Sequence, residues 1–212
     1  MNPAGEASTT AAPTPATSVD LRFAVVDVET SGLSSRWHRV LQVGVVVIDG
    51  SGTVLDSWSS LVRPRWKHLF RLGPRHIHGL TRTALRSAPR EREVMAELAE
   101  RLQGTVFTAH NAKFDADFLR RSAQRTRQQL PLSPQLDTLW LSRRLDPDRA
   151  LSHRLADVCA RYGIANERPH DALEDAIATA ALVPHLLRAH GIDNADRLAD
   201  FTWPRRQRPD AA

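Results

Sequence analysis

Three apolar segments in the first third of the chain restrict its fold more than any other feature. RFAVVDV at 22–28 and VLQVGVVVI at 40–48 are dominated by β-branched residues, which suit a pleated, buried surface. DGSG at 49–52 is a turn signal, and TVLDSWSSLV at 53–62 returns as a third strand, so the chain opens as an antiparallel meander. Residues 91–102 place Val94, Leu98 and Leu102 at helical spacing, with Gly104 as the stop. TVFTAH at 105–110 reads as a short strand. Residues 112–128 read as a helix with Phe114, Phe118 and Leu119 turned inward and Arg120, Arg121, Arg125 and Arg127 outward. An extended piece follows near Leu136, then helices from Thr138, over 151–162, and from Asp171 to Ala189. Strands first, then strands alternating with helices, predict an α/β domain: a mixed sheet covered by helices.

At 212 residues the chain suits one domain with tails. Residues 1–20, rich in Ala, Thr, Ser and Pro, have the composition of a disordered arm and lack the basic start and apolar core of a signal peptide. The domain is expected over 21–190, with 191–212 as a short C-terminal tail. No apolar run reaches the roughly 18 residues a membrane span requires. Cys159 is the only cysteine, so no intrachain disulfide can form. A cytoplasmic protein without membrane contact is the expectation. The net charge is +5, and Lys67 and Lys113 are the only lysines. Arginine forks pair with phosphate, which suits a polyanionic partner, although a GC-rich genome produces the same bias.

Against this background the acids stand out. Asp27 and Glu29 end the first strand, and period two places both side chains on one side of it. Two unpaired buried carboxylates cost several kcal/mol, so the pair must lie at the sheet rim, be protonated, or meet a cation. HNAKFDADF at 110–118 puts His110 and Asn111 at a second strand end and Asp115 near a helix start, where it could simply complement the helix dipole. HDALEDA at 170–176 opens the last long helix. Asp171 and Glu174 fit a capping box there, which leaves His170 and Asp175 without structural work.

Taken in order, Asp-X-Glu at a strand end, His-Asn-Ala-X-X-Asp after a later strand, and His-X-Ala-X-X-Asp at the final helix resemble the three motifs of the DEDDh exonucleases. That family includes the proofreading epsilon subunit of bacterial DNA polymerase III, RNase T and oligoribonuclease. DVETSGL and the IHGLT segment at 77–81 resemble it too, and the similarity spans about residues 22–190. The resemblance implies an RNase H-like fold with a five-stranded sheet, the three-strand meander plus two parallel strands, flanked by helices.

It also implies a site. Asp27, Glu29, Asp115, Asp175 and His170 would be catalytic, around two Mg²⁺ or Mn²⁺ ions; hard oxygen donors without a nearby thiolate suit these and not zinc. By resemblance Asp27 bridges the ions, Glu29 and Asp175 complete the first, and Asp115 holds the second largely through water. His170 would take a proton from the attacking water, as imidazole ordinarily titrates near working pH. Thr30, Leu33 and His78 would contact the terminal nucleotide, with Asn111 and Phe114 in the same wall. The expected activity is 3′–5′ removal of 5′-mononucleotides from single-stranded or frayed DNA ends, of the proofreading or repair type. The alternatives are a 3′–5′ exoribonuclease and a non-catalytic nucleic-acid-binding or polymerase-associated module. The expected partners are single-stranded 3′ ends, DNA ahead of RNA, and, through the resemblance, a DNA polymerase. Residues 191–212 contain no long linker and second helical segment of the kind epsilon uses to hold its polymerase. Arg63, Arg65, Lys67, Arg71 and Arg75 surround Trp66, Phe70 and His76 and are expected to guide a strand.

Overall fold

The computed structural model describes residues 21–64, 72, 73 and 75–204. The N-terminal arm, most of the basic and aromatic segment (65–71 and 74) and residues 205–212 lie outside the described residues. Along the chain run β1 (Arg22–Thr30), β2 (Val40–Asp49), β3 (Val54–Leu61), α1 (Arg75–His78), α2 (Arg82–Ser87), α3 (Glu91–Arg101), β4 (Val106–Ala109) and α4 (Ala112–Thr126). They are followed by β5 (Gln135–Asp137), α5 (Thr138–Arg144), α6 (Leu155–Arg161), α7 (Ala172–Ala189), α8 (Ala195–Ala199) and β6 (Thr202–Trp203).

One mixed sheet has the order β3-β2-β1-β4-β5-β6. The meander is antiparallel, β4 and β5 continue it in parallel with β1, and β6 closes the far edge antiparallel to β5. The expected five-stranded sheet therefore has six strands. The extra one pairs Thr202 with Leu136 and Trp203 with Gln135. Two residues are too short to show any periodicity, and only the partner strand defines them. The chain between α7 and β6 is also packed: Ile192 and Leu198 are buried in the core.

β1 shows why residues 23–26 are apolar without interruption: the strand is buried on both faces there. Ala24, Val26 and Val28 enter one core, which α3 and α4 cover with Val94, Leu98, Ala116, Phe118 and Leu119. Phe23 and Val25 enter the other, with Leu141 of α5, Val158 of α6 and Ala176, Ala180 and Val183 of α7. A fully buried Phe or Leu side chain contributes about 1.5–3 kcal/mol of transfer free energy, so these two layers fix β1 as the centre of the fold. Helix α6 starts at Leu155, later than expected, because Arg154 holds the N-cap position in extended conformation.

Candidate active site

The odd-numbered residues of β1 face the α5–α7 side, and this alternation carries Asp27 and Glu29 out at the strand's C-terminal end under the first turn of α7. In register, Asp27 lies opposite Gly44 and Glu29 opposite Gln42. Gly44 decides how near α7 can come: a Cβ there would stand 2.2 Å from the carbonyl oxygen of Ala172. A glycine inside an otherwise β-branched strand is the signal of such close backbone approach.

Asp171 caps α7, accepting from the amides of Leu173 (3.0 Å) and Glu174 (3.3 Å), and Gln42 Nε2 donates to its other oxygen at 3.4 Å. Glu174 does not complete the expected capping box; its carboxylate pairs with Arg168. Asp175 is buried one turn into the helix and accepts from the His170 amide (3.0 Å) and from Asn166 Nδ2 (2.7 Å). His170 is exposed, with a left-handed φ of 68°. Such strain at a non-glycine residue is held in place here by the bond to Asp175. Glu29, His170 and Asp175 each bring one potential ligand atom to within 4.8 Å of the others.

Asp115 arrives from the opposite layer, one turn into α4, and is 3% exposed. Strand β4 pairs with β1 only as far as Val25 opposite Thr108, and the Val28 amide beyond it donates to Asp115 Oδ1 at 3.2 Å. Helices from both faces of the sheet thus deliver acids to one strand end.

The electrostatics follow from that crowding. Burial, then Asp115, Asp175 and Glu29, push Asp27 well above the usual carboxylate range. Burial, then Asp175 and Asp171, push Glu29 up to about 8. Asp115 is raised by burial, against the hydrogen bond from Val28, with Asp137 and Glu29 adding to the rise. No Lys or Arg among the described residues forms an ion pair with Asp27, Glu29, Asp115 or Asp175. Repulsion of this kind is relieved by protons or by a cation, and a donor set made almost wholly of carboxylate oxygens fits a divalent metal ion. The single cysteine is buried elsewhere, in the core of α6.

The remaining expected site residues divide into two groups. Thr30 ends β1 and bonds to the Gly32 carbonyl (2.9 Å), and Leu33 follows it fully out in solvent, 87% exposed. Asn111 is exposed at the N-cap of α4 with φ 79°, and its amide donates to Asp137 Oδ1. Phe114 packs on the core beside Phe118, ring centroids 4.9 Å apart. His78 is buried: its Nδ1 accepts from the Leu80 amide (3.0 Å), so its Nε2 donates to the Leu72 carbonyl (3.0 Å). The segment His78 ties together reaches β1's end through Gly73, where a Cβ would stand 2.4 Å from the Ser31 carbonyl oxygen. Asn166 and Asp137 were missed as neighbours of the acids; no local pattern marks them, because only the fold brings them there.

Comparison with known proteins agrees with this geometry. The exonuclease family model typified by RNase T matches residues 24–183. The PolC-type DNA polymerase III of Oceanobacillus iheyensis is 32% identical over 166 residues, 78% of this chain and 11% of that protein. The chain thus spans about a tenth of the length of the PolC-type relatives it matches. Two solved structures share the fold. A zinc-bound complex of Escherichia coli exonuclease I with single-stranded DNA has a TM-score of 0.70 at 20% identity, covering 81% of this chain and 41% of that one. A 3′-exonuclease that recognises the histone mRNA stem-loop has a TM-score of 0.68 at 16% identity, covering 81% and 84%. The family match runs through strands β1 to β5, both helical layers and all three acidic motifs, and the chain belongs to the DEDDh family of 3′–5′ exonucleases.

Proposed function

We propose that the chain removes 5′-mononucleotides one at a time from the 3′ end of single-stranded or frayed DNA, with two Mg²⁺ or Mn²⁺ ions held by Asp27, Glu29, Asp115 and Asp175. The observation that carries this is the convergence of Glu29, His170 and Asp175 within 4.8 Å at the end of β1, where burial and repulsion raise the pKa values of Asp27 and Glu29. When bound, the ions supply charge neutralisation at the phosphodiester and a more acidic attacking water. His170, exposed and anchored through its own amide to Asp175, would accept a proton from the attacking water. Thr30, Leu33 and Asn111 border the terminal nucleotide. Phe114 supports that wall from the core, and His78 acts as a positioning residue that ties Leu72 to Leu80, next to Gly73 where it lies against Ser31.

DNA is placed first because the PolC-type relatives are DNA polymerases, and association with a polymerase is a further part of the proposal. A second reading, an exoribonuclease, is favoured by the likeness to the histone mRNA 3′-exonuclease. Labelled DNA and RNA oligomers of one sequence, incubated with the full chain and Mg²⁺, Mn²⁺ or a chelator, separate these readings. Metal-dependent shortening of DNA faster than RNA is expected, faster loss of RNA supports the second reading, and no shortening of either overturns both.

A further inference from the structure

Beside the carboxylates, the end of β4, the face of α5 and the chain from 149 to 155 border an open cleft of about 810 Å³. Arg143, Arg149 and Arg154 line it, all three exposed, and no acidic residue does so among the described residues. None of the three is in an ion pair among the described residues. Asp148, exposed and adjacent to Arg149 in the chain, forms no ion pair among the described residues, and Asp146 is already engaged: it accepts from the amides of Ala150 (3.1 Å) and Leu151 (2.9 Å) and pairs with His153 Nε2 (3.0 Å). Those bonds close the turn in which Arg149 takes a left-handed φ of 56°, a conformation an arginine seldom adopts.

Behind the arginines the wall is held together by the hydrogen bonds of His110. His110 bonds through Nδ1 to Thr138 Oγ1 and through Nε2 to the His153 carbonyl, both at 2.9 Å, and burial lowers its pKa. Asn111, which also lines the cleft, is the N-cap of α4, whose first turn brings Asp115 to the site, and this puts the cleft next to the acids. No Phe, Tyr or Trp lines the cleft, so it offers charge and not a stacking platform. Planar guanidinium forks without acidic partners suit phosphate.

We propose that this cleft holds the phosphodiester backbone of the strand whose 3′ end lies at the carboxylates, with Arg143, Arg149 and Arg154 contacting neighbouring phosphates. The proposal rests on the exonuclease reading and adds to it the surface that retains the rest of the strand.

The test is binding of a fluorescent single-stranded DNA oligomer to the full chain in chelator, followed by anisotropy over a range of NaCl concentrations. The variant combines Arg143→Ala, Arg149→Asn and Arg154→Ala; Asn suits the positive φ at 149. A control, Arg92→Ala with Arg121→Ala and Arg188→Ala, removes the same charge from exposed positions that do not line the cleft. Loss of three phosphate contacts should weaken binding about 100-fold near 0.1 M salt and lower the slope of log K against log salt by about two. The control should bind within about threefold of the wild type, because its charges touch no phosphate. Equal weakening of variant and control, or an unchanged slope in the variant, overturns the cleft. If the triple variant melts early, Arg143→Ala alone should still weaken binding about fivefold, and no change in it overturns the proposal. Because binding is read without metal, the two ideas fail separately. Cleft-dependent binding without hydrolysis by the wild type would refute the nuclease reading alone, and hydrolysis with cleft-independent binding would refute the cleft alone.

Discussion

The amide of Val28 donates to Asp115 Oδ1 at 3.2 Å, joining two acidic motifs 87 positions apart in the chain. The carboxylate therefore caps an amide that β4 is too short to pair, besides presenting oxygen to the site. Asp115→Asn keeps an acceptor and should fold like the wild type while losing nearly all activity. Asp115→Ala leaves the buried amide unsatisfied and should also cost about 1–3 kcal/mol of stability. Urea unfolding of both variants checks this, and equal stability of the two would contradict the capping role.

His170→Ala should slow hydrolysis by about 10²–10⁴-fold, the usual contribution of a positioned general base. Mn²⁺ binding, measured by calorimetry, should persist, since four carboxylates remain. Loss of binding would make His170 a ligand and not the base.

Gly44→Ala tests how the first and third motifs are held together. The added methyl would sit 2.2 Å from the Ala172 carbonyl oxygen, and neither the strand nor the helix backbone can give way cheaply. We expect a loss of about 1–3 kcal/mol in stability and a fall in turnover as Asp175 moves from Glu29. Wild-type turnover in a stably folded Gly44→Ala protein would show that this spacing is not needed.

Glu29 predicts a pH signature in metal-free protein. Its carboxyl rises from an ordinary 4.5 to about 8 in the folded chain, so folding takes up a proton between those values. The stability that the protonated group contributes is complete below about pH 4.5 and lost as pH climbs through about 8. Comparing wild type with Glu29→Gln in chelator isolates this share from other titrating groups. The variant should gain on the wild type steadily across that window, by at most about 1.4 kcal/mol per pH unit. A difference that is flat with pH would refute the shift.

Much of this was legible in the sequence because the signals are local. β-branched runs gave the meander, helical spacing of Val94, Leu98 and Leu102 gave α3, and the resemblance carried by the three motifs together, not the spacing of any one, singled out the acids and His170. What escaped depends on contacts between distant segments. Thr202–Trp203 is a strand only because Gln135–Leu136 is there to pair with it. His78 looks like a substrate contact until both ring nitrogens are seen bonded to backbone. Asn166 supports Asp175 across a loop whose path no pattern encodes.

The most direct test of the central claim is the product pattern from linear and circular single-stranded DNA. A 5′-labelled linear oligomer in Mg²⁺ should yield a descending ladder, each step releasing one 5′-mononucleotide, and a 3′-terminal phosphate should block it. The closed circle should remain intact under the same conditions, because the proposed reaction begins at a 3′ terminus. Prompt nicking of the circle, or a ladder that persists in chelator, would contradict the assignment of Asp27, Glu29, Asp115 and Asp175 to a metal-dependent 3′–5′ exonuclease site.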